Sequence, residues 1–463
     1  MSAFFADTAA NLGSIGVQPV LPSPPLPTIV AEWAALLPLV CHLASQRDDY
    51  ITTGDVALMG RLSVGIFPKL GTLSGIARLL RRGTKFLDYA STKGDSSRTV
   101  WDVNWGSVFP CANGAAIAAI SKSLRDRNTK AARRMPETLS SENDGIVPEQ
   151  TARINDEKPS ETTATKNTGL DVNVQDEDPI RRYQLLHVYQ FHHTVRMSSI
   201  RQRVKHLSQY KYTQILRFIF SICIAMVLFL WGCYGTGVTV ICVSVSELAV
   251  QQLTIRRPSG YLRNNENHDA CMLVAPHENA TEWHLYIGDR GIVDTLLNKP
   301  MFMVPEGKQA HFVADLLWVA NLLQLAAMTF VAAQKGWDGV CLVALLGIHW
   351  LLTSPFFNSS LADRWLEREG IDAKVESYLF GGRTALIGSI QLFSQSPNTD
   401  WMDRIIVPHP RRTVWLRSLR GETGPSNLGA HDAGWVNFAT ESSFAAAEIL
   451  MKTFGGRISS MTA

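Results

Sequence analysis

Long apolar segments separated by strongly polar ones dominate the hydrophobic pattern of this chain. Residues 218–246 and 340–357 contain no charged side chain, and residues 312–333 contain only Asp315. A helix that crosses a bilayer needs about 20 predominantly apolar residues. The pattern therefore predicts membrane-spanning helices near 215–232, 236–253, 312–333 and 340–357.

The apolar run 215–253 is predicted to be a hairpin of two helices that turns at Gly232, Gly235 and Gly237. The hairpin keeps the basic residues of 181–214, 254–311 and 358–463 on one side of the membrane, which the positive-inside rule makes the cytoplasmic side. A single tilted helix is the alternative. It would place the sequons at Asn279 and Asn358 in the lumen, where both could be glycosylated.

The remaining segments complete a division into five regions. Residues 1–28 form a Pro-rich arm, and residues 29–121 form an apolar and amphipathic region whose segment 29–45 is just long enough to span a membrane. Residues 122–180 contain no aromatic side chain and are predicted to be a disordered linker. Residues 181–357 form the membrane domain, and residues 358–463 form a cytoplasmic region. The fold class that follows is mainly α: a multi-pass helical membrane protein with a disordered central linker and polar cytoplasmic tails.

Charge, cysteine content and motifs indicate which partners, metal sites and cofactors the sequence supports. The net charge of +3 is too small to indicate nucleic-acid binding. Basic stretches at 78–85 and 181–211 indicate contact with a lipid bilayer and its anionic headgroups. None of the seven cysteines forms a CxxC pair, so no zinc site is predicted. P-loop, GxSxG, HExxH and GxGxxG motifs are also absent, and no particular cofactor is indicated.

One histidine cluster comprises His187, His192 and His193. It resembles one histidine box of membrane desaturases and hydroxylases, and that resemblance implies a di-iron site. The two further boxes of those enzymes are missing, and several ligands must converge on such a site. The favoured interpretation is therefore a polar helix on the cytoplasmic side, within a helical stretch 181–212.

The loop 254–311 carries the candidate catalytic residues. Residues 283–297 are predicted to form a short strand, a turn and a helix. Asp289 and Asp294 would serve as acid and base with His284, while Arg290 would bind a headgroup. No DDxxD pair is present, so no metal site is predicted. The alternative interpretation, which we favour, is a turn capped by Asp289.

Polar side chains inside the predicted spans are the second candidate site. Asn321 and Gln324 lie three residues apart on one helix face, and His349 lies in the last span. They would bind a substrate or, in the favoured interpretation, form hydrogen bonds between helices.

The sequence therefore favours a non-enzymatic membrane scaffold or accessory component. The alternative is a membrane-bound enzyme acting on a lipophilic substrate in lipid or specialised-metabolite biosynthesis. A transporter is disfavoured by the small number of helices and the lack of internal repeats.

Overall fold

A computed structural model describes residues 24–45, 48–65, 71–136, 182–194, 200–264, 266, 268–334, 336–353, 360–422 and 428–455. Most of the predicted Pro-rich arm (1–23) and the predicted linker from residue 137 onwards lie outside these residues. The first part of the predicted linker lies inside them, where residues 122–136 form the end of a helix and a short strand.

The chain folds as an α/β structure, about 60% helical, with a seven-stranded mixed sheet. The prediction of a mainly α, multi-pass helical membrane protein is therefore wrong. Within the described residues, two helices are long and apolar enough to cross a membrane, Thr28–Ser45 and Lys308–Gln334. Shorter apolar stretches cover Ile215–Leu230 and Trp337–Leu351.

Among the described residues before the undescribed segment 137–181, there are five α-helices and three strands. The helices are α1 (Thr28–Ser45), α2 (Ile51–Met59), α3 (Thr72–Arg82), α4 (Thr84–Ser91) and α5 (Gly114–Arg127). The strands are β1 (Thr99–Asp102), β2 (Val108–Pro110) and β3 (Arg133–Arg134).

The elements after that segment supply the rest. The strands are β4 (Gln184–His193), β5 (Ala270–Ala275), β6 (Glu282–Gly288) and β7 (Ile371–Phe380). The helices are α6 (Ile200–Leu230), α7 (Tyr234–Gln251), α8 (Arg290–Leu297), α9 (Lys308–Gln334), α10 (Trp337–Thr353), α11 (Leu361–Glu369), α12 (Arg383–Ser394), α13 (Pro410–Leu419) and α14 (Ala430–Phe454).

The strand order is β2-β1-β5-β6-β4-β7-β3, so segments from both sides of residues 137–181 form one sheet. Strand β4 pairs in parallel with β6 and antiparallel with β7. Strand β5 joins β6 to β1, and both of its pairings are antiparallel. The predicted cytoplasmic tail is therefore not a tail, because β7 is a strand of the sheet and lies between β4 and β3.

One predicted helical segment contains a strand instead. In the stretch 181–212, β4 occupies the first part and α6 begins only at Ile200. The physical reason is that β4 is buried on both faces, and such a strand lacks a clear alternation of polar and apolar residues.

Each face of the sheet packs against its own layer of helices. On one face, side chains such as Tyr189, Phe191 and Tyr286 share a core with α2, α3, α5, α8, α9 and α11. On the other face, Leu186, Val188 and Leu285 share a core with α12, α13 and α14.

Helices α1, α6, α7, α9 and α10 form a layer that we call the helical layer. Helix α9 lies at its centre and packs against α1, α3 and α7, while α10 packs against α1. The run 215–253 forms two helices, α6 and α7, separated by a turn at Trp231–Cys233. The carboxylate of Asp338 on α10 caps the first turn of α7, accepting hydrogen bonds from the backbone N–H groups of Gly235 and Thr236, each at 2.8 Å.

Candidate functional site

The two neighbouring central strands carry the same short pattern, a histidine followed two residues later by a tyrosine. In the parallel register of β4 and β6, His187 lies beside His284 and Tyr189 lies beside Tyr286. Alternate residues of a strand point to the same face, so all four side chains face helix α5. All four are buried.

Close approach of the two strands depends on Gly288, the last residue of β6. Its φ is +106°, and an added Cβ would lie 2.2 Å from the carbonyl oxygen of Phe191. Only glycine tolerates both conditions without displacing a strand. The chain then turns into α8.

Glu282 lies at the outer end of this group, which we call the His–Glu–Tyr network. Its Oε1 is 3.4 Å from Nε2 of His187 and 3.5 Å from Nε2 of His284, and the guanidinium of Arg125 on α5 forms an ion pair with the same oxygen. Nδ1 of His284 is 3.3 Å from the hydroxyl of Tyr189, and Nδ1 of His187 is 2.8 Å from the hydroxyl of Ser377. The hydroxyls of Tyr286 and Ser121 are hydrogen bonded at 2.8 Å.

Electrostatics fix the charge states of the network. The adjacent His187 imidazole, together with His284 and Arg125, lowers the pKa of Glu282 to about 2, so the carboxylate is ionised at neutral pH. Burial lowers the pKa of His284 well below its ordinary value, so that ring is neutral. Burial also raises the pKa of Tyr189 and brings that of Tyr286 to about 12, so both phenols are protonated.

The arrangement is a chain of proton-exchanging groups that runs from a partly exposed carboxylate to a buried phenol. A carboxylate, a neutral imidazole and a phenol are the groups used in general acid–base chemistry. Metal chemistry has less support, because no set of three potential ligands with metal-binding geometry occurs in the described part of the chain.

Sequence reasoning identified His284 but missed its partners Glu282, Tyr189 and Arg125. The repeated pattern in the segments beginning at His187 and His284 was the available indication, since it becomes meaningful once both segments are strands. Arg125 gives no such indication, because it lies on a helix in the segment predicted to be linker.

The structure separates the other predicted catalytic residues from His284. Residues 282–297 do form the predicted strand, turn and helix. Asp289 caps α8, accepting hydrogen bonds from the backbone N–H groups of Gly291 at 2.8 Å and Ile292 at 3.3 Å. Asp294 forms an ion pair with Lys299, with 2.5 Å between Oδ2 and Nζ. The two carboxylates therefore hold their own helix and contact neither each other nor His284.

Arg290 is buried and does not point toward a headgroup. Its Nη2 is 3.0 Å from Oδ2 of Asp102 on β1, and its Nε is 2.6 Å from Oε2 of Glu266. The buried pair with Asp102 ties the start of α8 to the neighbouring strand. Removing one partner of such a pair leaves an uncompensated buried charge.

The predicted intramembrane residues lie on two helices of the helical layer. Asn321 and Gln324 are buried on α9, and Oδ1 of Asn321 accepts no hydrogen bond from any described residue. His349 lies partly exposed on α10. Of the two sequons, Asn279 is exposed and accepts a hydrogen bond from Arg383 at 2.7 Å, while Asn358 lies outside the described residues.

The outer surface of the helical layer is apolar. Trp33 on α1 is 72% exposed and Phe312 on α9 is 69% exposed. They belong to a larger set of exposed apolar side chains on α1, α6, α9 and α10. That set includes Ile29, Leu36, Val40, Ile215, Leu216, Phe220, Met226, Trp318, Leu323 and Trp350. Large contiguous apolar patches on a protein surface mark sites of contact with a membrane or another protein.

Comparison with known proteins provides no homologue, since no family model, curated protein or solved structure significantly matches this chain.

The capping role of Asp289 can be separated from a chemical role by two substitutions. We expect Asp289→Ala to lower the free energy of unfolding by about 1 kcal/mol and Asp289→Asn to change it little, because asparagine caps helices about as well as aspartate. Thermal unfolding of the detergent-solubilised protein measures both. If Asn proved as harmful to activity in cells as Ala while leaving stability unchanged, Asp289 would have a chemical role.

The His–Glu–Tyr network predicts a distinct pH dependence of stability. The unfolded chain binds a proton at His284 near pH 6.5, whereas the folded chain resists that proton, so stability is lost as pH falls below about 6.5. The loss is at most about 1.4 kcal/mol per pH unit. The contribution of Glu282 is present above about pH 4.5 and is lost only as pH falls toward 2.

Denaturant unfolding at several pH values should show the loss of stability below about pH 6.5 in the natural chain. The control variant His431→Gln should show the same loss, because His431 is exposed. His284→Gln should reduce this loss. A slope that persists unchanged in His284→Gln would mean that another group is responsible.

Proposed function

We propose that this protein is a membrane-anchored scaffold or accessory component. In this proposal the apolar outer surface of the helical layer contacts lipid, and the sheet with its covering helices lies outside the bilayer. The observation that carries the proposal is the exposure of large apolar side chains on α1 and α9, the two described helices that are long and apolar enough to cross a membrane.

The helical layer keeps several polar side chains inside. Asp338 caps α7, and Asn321 and Gln324 are buried on α9. Glu32, Arg217 and Asp315 are exposed on its surface. Its large apolar side chains point outward, where water would solvate them poorly. In helices that contact lipid, polar side chains typically face the interior of the helix bundle and apolar side chains face outward.

A non-enzymatic role is favoured by how the predicted reactive residues are used. Asp289, Asp294 and Arg290 are engaged in a helix cap and two ion pairs. They hold the fold together, and no two of them face a common space where a substrate could bind. The sheet domain is then a surface for other molecules rather than a reaction centre at these positions.

An enzyme acting on a lipophilic substrate is the second candidate, and the His–Glu–Tyr network favours it. Strongly shifted pKa values of a carboxylate and an imidazole are common at catalytic sites. The ionised carboxylate of Glu282 is 44% exposed, and a substrate could exchange a proton with the network there.

Basic side chains of α3 and α4 support contact with anionic headgroups. Arg78 and Arg81 are paired with Asp49 and Asp315, whereas Arg82 and Lys85 are exposed. We place this basic side, and the sheet domain with it, on the cytoplasmic side by the positive-inside rule.

The orientation has a direct test at Asn279. Because the sheet domain is proposed to be cytoplasmic, we expect no glycan at Asn279 in cells, and glycosidase treatment should not change the mobility of the protein. A glycan that disappears in Asn279→Gln would place the domain in the lumen.

The lipid contact predicts different outcomes for two exposed sites, Leu323 and Val407. Leu323→Lys puts a charge on the outer surface near the middle of α9, where in lipid it costs about 2.5–3.5 kcal/mol. Val407→Lys is the control, because Val407 is also exposed, 73%, but lies in the sheet domain. We expect a several-fold lower level of the Leu323 variant in carbonate-washed membranes and no change for the Val407 variant.

Equal levels of both variants in the membrane pellet, or release of the unaltered protein by carbonate, would contradict the proposal.

A further inference from the structure

A cleft lies between α6 and α7, where this helix pair meets the sheet domain. Arg217, Phe218 and Ser221 line it from α6, and Ser244, Glu247, Leu248 and Gln251 line it from α7. Ser63 and Gly65, which follow α2, close one end. The turn at 231–233 lies at the other end of the two helices, so the cleft lies at the level expected for lipid headgroups.

The carboxylate of Glu247 is held in the cleft by neutral donors alone. Its Oε2 accepts from the backbone N–H of Val64 at 2.5 Å and of Gly65 at 3.2 Å, and its Oε1 accepts from Gln251 at 2.9 Å. No cationic side chain in the described part of the chain forms an ion pair with it. The hydroxyl of Ser63 also donates to it at 3.1 Å, so the carboxylate is hydrogen bonded but its charge is not neutralised. Ionisable residues among apolar helices usually serve a function.

Two further side chains of the cleft are unused. Ser221 is only 4% exposed, yet its hydroxyl makes no hydrogen bond with any described residue and opens into the cleft. Arg217 is exposed at the mouth of the cleft, and no acidic side chain among the described residues pairs with it. The cleft thus contains one carboxylate, which the 63–65 segment and Gln251 hold in place, and one guanidinium and one hydroxyl that have no hydrogen-bond partner among the described residues.

We infer that the cleft binds the headgroup of a zwitterionic phospholipid with a primary amine, phosphatidylethanolamine. The guanidinium of Arg217 and the hydroxyl of Ser221 would bind the phosphate, since guanidinium groups match phosphate oxygens well. The carboxylate of Glu247 would attract the ammonium group. The exposed apolar side chains of Ile215, Ile219 and Phe220 lie beside the cleft and would contact the acyl chains.

The charge pattern selects among headgroups. An anionic lipid without an amine would bring a second negative charge close to Glu247, which is unfavourable. A quaternary ammonium could not donate a hydrogen bond to the carboxylate. This inference rests on the proposed lipid contact of the helical layer, and it names the lipid class that one part of that layer would hold.

Native mass spectrometry of the full-length protein in detergent tests the inference. The probes are phosphatidylethanolamine, phosphatidylcholine and phosphatidylglycerol with identical acyl chains, and the water-soluble glycerophosphoethanolamine. We expect phosphatidylethanolamine to bind at least tenfold more tightly than the other two lipids. Arg217→Gln should weaken the binding of both phosphatidylethanolamine and phosphatidylglycerol about tenfold, whereas Arg404→Gln, an exposed arginine of the sheet domain, should change neither.

Glu247→Gln should remove the preference for phosphatidylethanolamine over phosphatidylglycerol. Because Glu247 also holds the 63–65 segment, Ser221→Ala is the second variant. It removes no hydrogen bond within the described protein and should still weaken phosphatidylethanolamine binding.

The outcomes separate this inference from the proposed function. Equal binding of all three lipids, or unchanged binding in Arg217→Gln and Ser221→Ala, would overturn the headgroup site while leaving lipid contact intact. If glycerophosphoethanolamine bound tightly and the lipids did not, the cleft would bind a water-soluble ligand, and the inference that its ligand is a lipid would be wrong. Binding of no lipid, combined with release by carbonate, would overturn the proposed function as well.

Discussion

The pairing of β4 along its whole length is the constraint on which the rest of the structure depends. Its residues match β6 in one register and β7 in another, and both neighbours come from distant parts of the chain. The strand therefore brings His187 beside His284 and joins β7 to the rest of the sheet. Side chains on its two faces belong to two separate cores. One core is shared with α5, α8 and α9, and the other with α12–α14. Without this strand the sheet would lose the link between β6 and β7.

The helical layer joins this sheet through one continuous core and presents an apolar surface on its other side. Val313, Ala314 and Leu317 of α9 belong to the same core as Tyr189 and Tyr286 of the sheet. Buried capping contacts, such as that of Asp338 with α7, satisfy backbone groups that lipid could not. The layer therefore combines internal hydrogen bonding with a surface rich in exposed apolar side chains, which the proposed lipid contact requires, and its other side packs on the sheet.

The sequence predicted the apolar helices well and the sheet poorly, for a physical reason. Helices α9 and α10 are local, and their length and lack of charge are visible in a short window. The strand pairs of β4 are non-local, and burial on both faces hides their alternation. The same difference between local and non-local contacts applies to the site residues. The cap at Asp289 follows from its neighbours in sequence, whereas the contacts of His284 with Glu282, Tyr189 and Arg125 exist only after the strands pair and α5 packs across them.

The central claim is that the exposed side chains of the helical layer contact lipid. Photolabelling of native membranes with a carbene reagent confined to the bilayer, followed by peptide mass spectrometry, tests it most directly. The account predicts label on Trp33, Phe220 and Phe312 and none on Val407 or Trp105, which are exposed in the sheet domain. Label distributed equally over both groups, or absent from the helical layer, would contradict it.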